Sequence, residues 1–214
     1  MNEPTPDAST NDCYSAGERG WMELGQRLRA QWLKPILVLL TQLGIRPDGI
    51  TIMSGLAGVA FAPLWLAEQR GWAILCLVLH VALDGLDGPC ARFQKTDSPR
   101  GSFTDTFTDQ IVVTAVTVAW MIGLGTPWAI GLGGVMIFLY TLVVAMSMVR
   151  NALAVPYSWL IRPRFIMFAG LAVDALGLDW IMVPTMLACC LLLGCKAISG
   201  FWHLRQRIPG PDSL

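Results

Sequence analysis

The sequence predicts an all-α polytopic membrane protein: about six transmembrane helices preceded by an N-terminal amphipathic interfacial helix. Three observations predict it. Hydrophobic residues make up 54% of the chain and charged residues 14%, against roughly 25% charged in soluble domains. Apolar stretches recur at about 49–68, 71–91, 103–123, 127–149, 157–178 and 180–203, each near the roughly 20 residues that cross a bilayer. Lysine and arginine collect in alternate connections. A length of 214 residues suggests one domain. The net charge is zero and points to no partner class. No nucleic-acid partner is expected.

Residues 1–16 are polar, with Pro4, Pro6, Ser9, Thr10 and Asn11, and read as a disordered cytoplasmic tail. Residues 17–45 read as an amphipathic juxtamembrane helix. There Trp21, Leu24, Leu28, Trp32, Ile36, Leu39 and Leu40 recur at three- and four-residue steps, with Arg27, Arg29, Gln31 and Lys34 on other faces. A spanning helix from Trp32 is the alternative, but its apolar run ends at Leu43 and is short. The transmembrane domain then covers 46–204. The stretch at 157–178 is its weakest span, because Arg162 and Arg164 sit inside it. Residues 205–214, with Pro209 and Pro211, should leave the membrane as a cytoplasmic tail.

The cations set the orientation. Arg19, Arg27, Arg29, Lys34 and Arg46 precede the first span. Arg92, Lys95 and Arg100 follow the second, Arg150, Arg162 and Arg164 the fourth, and Arg205 and Arg207 the sixth. The other connections carry little. Both termini are therefore expected in the cytoplasm. Cys13, Cys76, Cys90, Cys189, Cys190 and Cys195 show neither metal-binding nor disulfide spacing, and most read as small buried hydrophobes. No cleaved signal peptide is expected. Gly55 and Gly58, and the run Gly131-Leu132-Gly133-Gly134, would permit close helix packing but read more simply as ordinary membrane-helix glycines.

Four carboxylates lie within apolar sequence: Asp84, Asp87, Asp105 and Asp109. A carboxylate near a bilayer interior is costly by about a few kcal/mol. On helices, Asp84 and Asp87 share one face, and so do Asp105 and Asp109. Two facing helices would present all four to one point, an oxygen-rich set suited to Mg²⁺ or Mn²⁺. A solvated loop over 84–109 would explain Asp97 but not the helical spacing. A cation or proton pathway in a transporter is a distant alternative, since the outer half of the membrane sequence is nearly bare of acidic residues except Asp174.

The full pattern Asp84-x2-Asp87-Gly88-x2-Ala91-Arg92-x8-Gly101-x3-Asp105-x3-Asp109 resembles the signature of the CDP-alcohol phosphotransferases at every fixed position. A chance match in a chain this long is on the order of 10⁻⁸ from average residue usage. Upstream, Arg46-Pro47-Asp48-Gly49-Ile50-Thr51 is similar to the Pro-Asn-x-Ile-Thr/Ser segment that opens the first membrane helix in that family.

The resemblance implies transfer from a CDP-linked donor with release of CMP, dependent on two divalent cations. Asp84, Asp87 and Asp105 are then metal ligands. Asp109 is the general base toward the attacking alcohol and also touches a metal. Gly88, Ala91 and Gly101 make a slot between two helices, which the resemblance assigns, with Asp84, to the cytidine diphosphate. Arg92 can fork onto a phosphate. Pro89 would kink the helix there, or be a tolerated membrane-helix proline. His80 is either a support for Asp84 or, more simply, a packed histidine. Lys196, inside the last span, would snorkel or pair with an aspartate.

Two donors fit: CDP-diacylglycerol giving a phosphatidyl group to a small polar alcohol, or a soluble CDP-alcohol giving its phosphoalcohol to diacylglycerol. The compact chain resembles the prokaryotic phosphatidyl-transferring branch, which favours the first and a cytoplasmic (inner) membrane location with the site on the cytoplasmic side. Arg150 and Arg164 are candidates for binding the acceptor, with anchoring to lipid headgroups as the plainer reading. Gln110 stands where family members that use glycerol phosphate or inositol-type acceptors carry a cation, which weakens the case for an acceptor phosphate at that spot. A homodimer through membrane helices is a further expectation from the resemblance.

Overall fold

The computed structural model describes residues 32–152 and 162–207, and every regular element among them is helical. The elements are α1 (Trp32–Gln42), α2 (Pro47–Leu66), α3 (Arg70–Gln94), α4 (Pro99–Leu124), α5 (Pro127–Ala152), α6 (Pro163–Asp174), a 3-10 turn (Asp179–Ile181) and α7 (Met182–Arg207). The expected tail at 1–16 and the first half of the interfacial helix lie outside the described residues.

Five helices are long and apolar enough to cross a membrane: α2, α3, α4, α5 and the unit from Asp179 to Arg207. The sixth expected span is different. Its described helix, α6, has 12 residues, about 18 Å at 1.5 Å per residue. Pro163 starts it at the first helical position after an extended Arg162, the place where proline's missing N–H costs least. Helix α7 runs to Arg207, slightly past the expected boundary at 204.

Helix α2 packs against α3 and α4, α5 against α4 and α7, and α6 against α7. The core joins Phe61 and Trp65, Leu77, Val112, Val116 and Trp120, Met136, Met167 and Leu171, and Met186 and Leu193. A second cluster joins Leu37 of α1 to Ile50 and Cys90, with Leu33 and Leu40 packed beside it. Helix α1 is thus seated on the first turn of α2 and the last turns of α3. Its other side leaves Trp32, Ile36 and Leu39 exposed.

The glycines on α2 do more than the sequence suggested. A Cβ on Gly55 would fall 2.6 Å from Thr108 Cγ2, and one on Gly58 2.5 Å from Val112 Cγ1. Both let α2 lie close on α4, the helix that carries Asp105 and Asp109. In the second run Gly131 and Gly134 face open space, as ordinary membrane-helix glycines would, but a Cβ on Gly133 would collide with Met121 of α4, so Gly133 too serves close helix packing.

Candidate active site

The site forms where α3 ends and α4 begins. Helix α3 closes in a Schellman motif: Thr96 N donates to Ala91 O and Lys95 N to Arg92 O, with Lys95 in the left-handed region at φ 55°. Helix α4 opens on Ser98, whose Oγ accepts from Gly101 N at 3.2 Å, followed by Pro99. The short turn between them brings α4 back alongside α3. Asp84 and Asp87, late in α3, then stand near Asp105 and Asp109, early in α4. Helix α3 continues as helix through Pro89.

Asp84, Asp105 and Asp109 converge. One carboxylate oxygen from each lies within 4.8 Å of the others, so the three could hold a metal ion. Like charges this close repel strongly unless a cation or a proton sits among them. Asp87 is placed beside this cluster rather than within it. It is 7% exposed, accepts from Thr51 Oγ1 at 2.8 Å and from Gly88 N at 2.6 Å. Thr51 belongs to the upstream segment singled out in the sequence, and its contact explains why that segment matters: it ties α2 to a carboxylate of the signature.

Arg164 completes the cluster. Its guanidinium donates to Asp84 Oδ2 at 2.8 Å and forms an ion pair with Asp109. The arginine is 6% exposed, in the first turn of α6. Val113, Met136, Tyr140, Met167, Cys189 and Leu193 surround a small space behind it. Of the two expected acceptor-binding arginines, the structure brings Arg164 to the carboxylates. Arg150 instead donates to Ser147 Oγ and Asn151 Oδ1 at the end of α5.

A cavity of about 470 Å³ lies against the cluster. Gly88, Ala91, Arg92 and Gly101 all line it, with Asp87 and Asp105. Asp84 does not. A Cβ on Gly88 would sit 3.5 Å from Arg92 Nη1, and one on Gly101 3.6 Å from Ser98 Oγ. Neither glycine is forced by packing within the protein, so their smallness leaves room facing the cavity. Arg46, Asp48, Thr51, Gln94 and Asp97 also line it. Arg46, Asp48 and Thr51 come from the upstream segment singled out in the sequence, whereas the sequence predicts no role for Gln94 and a loop at Asp97. Gln94 holds the wall in place: its Nε2 donates to Ile45 O at 2.9 Å, fastening the α1–α2 turn to α3.

His80 is a packed histidine. It is 2% exposed, with Nδ1 2.8 Å from Ser54 Oγ and an edge-to-face contact with Phe168 at 6.0 Å. Gln110 Nε2 donates to Thr141 Oγ1 at 2.8 Å and Thr114 Oγ1 at 3.2 Å, and so serves the α4–α5 contact.

The sequence pattern of the CDP-alcohol phosphatidyltransferases matches residues 44–202, a range holding every one of these site residues. The chain belongs to that family. It is 36% identical over 72 residues to the archaetidylinositol phosphate synthase of Aeropyrum pernix, an alignment covering 34% of this chain and 37% of that protein. The chain is thus matched to little more than a third of that relative's length. Its fold is that of the Mycobacterium tuberculosis phosphatidylinositol phosphate synthase. The apo form superposes with a TM-score of 0.72 at 18% identity, covering 82% of this chain and 99% of that one. The complex with manganese and citrate gives 0.71 at 18%, covering 84% and 96%. The structure with CDP-diacylglycerol bound gives 0.70 at 19%, covering 88% and 97%.

Proposed function

We propose that this family member transfers the phosphatidyl group of CDP-diacylglycerol to a small polar alcohol and releases CMP. The observation that carries the reading is the cavity. Four signature residues, Gly88, Ala91, Arg92 and Gly101, line one space of about 470 Å³. Asp105 belongs both to that lining and to the carboxylate cluster. A nucleotide held there would have its diphosphate beside the carboxylates.

The donor set fits two divalent cations, Mg²⁺ or Mn²⁺, held by Asp84, Asp87, Asp105 and Asp109. When bound, such ions neutralise a diphosphate and ease departure of a nucleotide monophosphate. The chain's own groups do the rest. Arg92 binds a phosphate of the donor through its planar fork. Thr51 and the Gly88 amide fix the Asp87 carboxylate. Asp109 takes the proton of the attacking alcohol, and Arg164, in the first turn of α6, offers a cation to the acceptor.

The acceptor follows from Arg164. Gln110 is turned into the α4–α5 contact, but Arg164 supplies a guanidinium at Asp109 itself. An alcohol carrying an anionic group fits this arrangement. The relatives' names make an inositol phosphate the first acceptor to try. The distribution of Lys and Arg supports a cytoplasmic site and cytoplasmic termini in a prokaryotic inner membrane. Residues 17–45 would lie at the interface, as the seating of α1 on α2 and α3 allows. Pairing into a homodimer through membrane helices belongs to the same proposal.

The test is CMP release by purified protein with Mn²⁺ or Mg²⁺ and CDP-diacylglycerol. The acceptor panel is inositol phosphate, glycerol-3-phosphate, inositol, serine and choline. The expected result is metal-dependent turnover with a phosphorylated alcohol. Turnover only with CDP-choline or CDP-ethanolamine and diacylglycerol would reverse the donor assignment.

A further inference from the structure

We propose that Arg164 is a built-in rival of the divalent cation: its guanidinium and the metal contend for the same carboxylates, so metal binding displaces Arg164 from them. The inference rests on reading Asp84, Asp105 and Asp109 as the metal centre.

The geometry is specific. The arginine reaches two carboxylates from two different helices, Asp84 of α3 and Asp109 of α4. Both belong to the trio whose oxygens lie within 4.8 Å of one another. A guanidinium is a planar fork of donors that is charged at any working pH. Bridging Asp84 and Asp109, it occupies two of the three carboxylates that a cation would join. Both carboxylates are mostly buried, at 13% and 16% side-chain exposure, and Arg164 is at 6%. Solvent therefore screens little of the repulsion between two cations brought to one point.

The element that carries Arg164 suits a swinging side chain on a fixed base. Pro163, Met167, Phe168 and Leu171 of α6 are buried, and Gly170 lets α6 lie close on Thr185 of α7. The helix is anchored while the long arginine side chain retains its rotatable bonds. Once displaced, the guanidinium stays tethered to the first turn of α6, within a side chain's length of the carboxylates, and is released to meet an anionic acceptor. Metal loading would then precede acceptor capture, each favouring the other because one leaves Arg164 available to the next.

The measurement is direct binding of Mn²⁺, followed by the electron paramagnetic resonance signal of the free ion. Wild type, Arg164→Gln, Arg164→Lys and Asp105→Asn are compared in the same detergent at one fixed pH. Glutamine removes the charge. Lysine keeps the charge but cannot fork across both carboxylates. The expected result is Mn²⁺ binding tightened by about tenfold or more in Arg164→Gln, the worth of a lost hydrogen bond between charged groups. Arg164→Lys should fall between it and wild type. Unchanged or weaker binding in both variants would overturn the inference, and would show Arg164 and metal sharing the carboxylates through different oxygens. That failure differs from failure of the metal-centre reading, in which no variant binds Mn²⁺ more tightly than Asp105→Asn. A monodisperse elution profile and a cooperative melt qualify each variant. If Arg164→Gln does not fold, the lysine variant decides alone: tighter than wild type supports rivalry, equal or weaker refutes it.

Discussion

Asp109 and Asp87 illustrate two ways in which a residue serves one site. Asp109 faces Arg164 and the converging carboxylates, and removing its basicity should remove the reaction. Asp109→Asn is expected to lower CMP release by about 10²–10⁴-fold, the usual worth of a positioned general base. Asparagine keeps the shape but gives up the charge facing Arg164, so the variant is assayed well below its own melting temperature, where loss of fold does not contribute. Activity within tenfold of wild type would remove Asp109 from the base role. Asp87 is held by Thr51 Oγ1 at 2.8 Å. Thr51→Val keeps the side-chain volume and deletes that donor. Groups that orient metal-binding carboxylates are worth about 10–100-fold in metal affinity or activity. Thr51→Val should therefore weaken Mn²⁺ binding within that range, and binding equal to wild type would show that Asp87 needs no support from α2. Most of this site was legible in the residues, because Asp84, Asp87, Asp105 and Asp109 are spaced by helical turns inside apolar flanks. Asp87's place beside the cluster was not legible, since spacing assigns a face of a helix and not the partner met there.

At the scale of elements, the site depends on how closely α2, α3 and α4 approach. Gly58 faces the Val112 methyls at the distance where a Cβ must displace something, and Val112 lies three residues beyond Asp109 on the same helix. Gly58→Ala should cost about 1–3 kcal/mol of stability, the usual result of overpacking. It should also reduce activity, because α4 can yield only by moving Asp105 and Asp109. Gly134→Ala, with nothing within 4 Å of its Cβ position, is the matched control and should melt like wild type. Equal melting temperatures for the two variants would refute the argument. The spans α2 to α5 were readable from hydropathy, since each is a long apolar run between turn or charge signals. Helix α6 was not. Apolar content over 157–178 suggested a span, whereas Pro163 and the buried Arg164 make its described part a short helix that delivers a cation to the site. Hydropathy records how apolar a segment is, and cannot tell a helix that faces lipid from one that faces the protein's own carboxylates.

Across the whole molecule, charge is divided between two ends of the helix bundle. Asp84, which faces Arg164 of α6, lies late in α3. Arg70 opens the same helix, about 21 Å away at 1.5 Å per residue. There its guanidinium stacks over Trp65, 3.8 Å from the ring centroid, and reaches Asp174 of α6 at 4.0 Å. Asp174 has 5% side-chain exposure. One arginine thus links α2, α3 and the end of α6, far from any group assigned to chemistry. The acidic residue that stood out in the outer half of the sequence is accounted for as half of a structural pair. Arg70→Gln removes the charge facing a buried carboxylate and the cation over the indole. It should cost about 1–3 kcal/mol, read as a lowered melting temperature in detergent. Assayed well below that temperature, its KM for CDP-diacylglycerol and its kcat should match wild type, because no cavity-lining residue moves. The opposite pattern, an unchanged melt with altered KM, would mean that this end of the bundle is coupled to substrate binding and that the clamp is not merely structural.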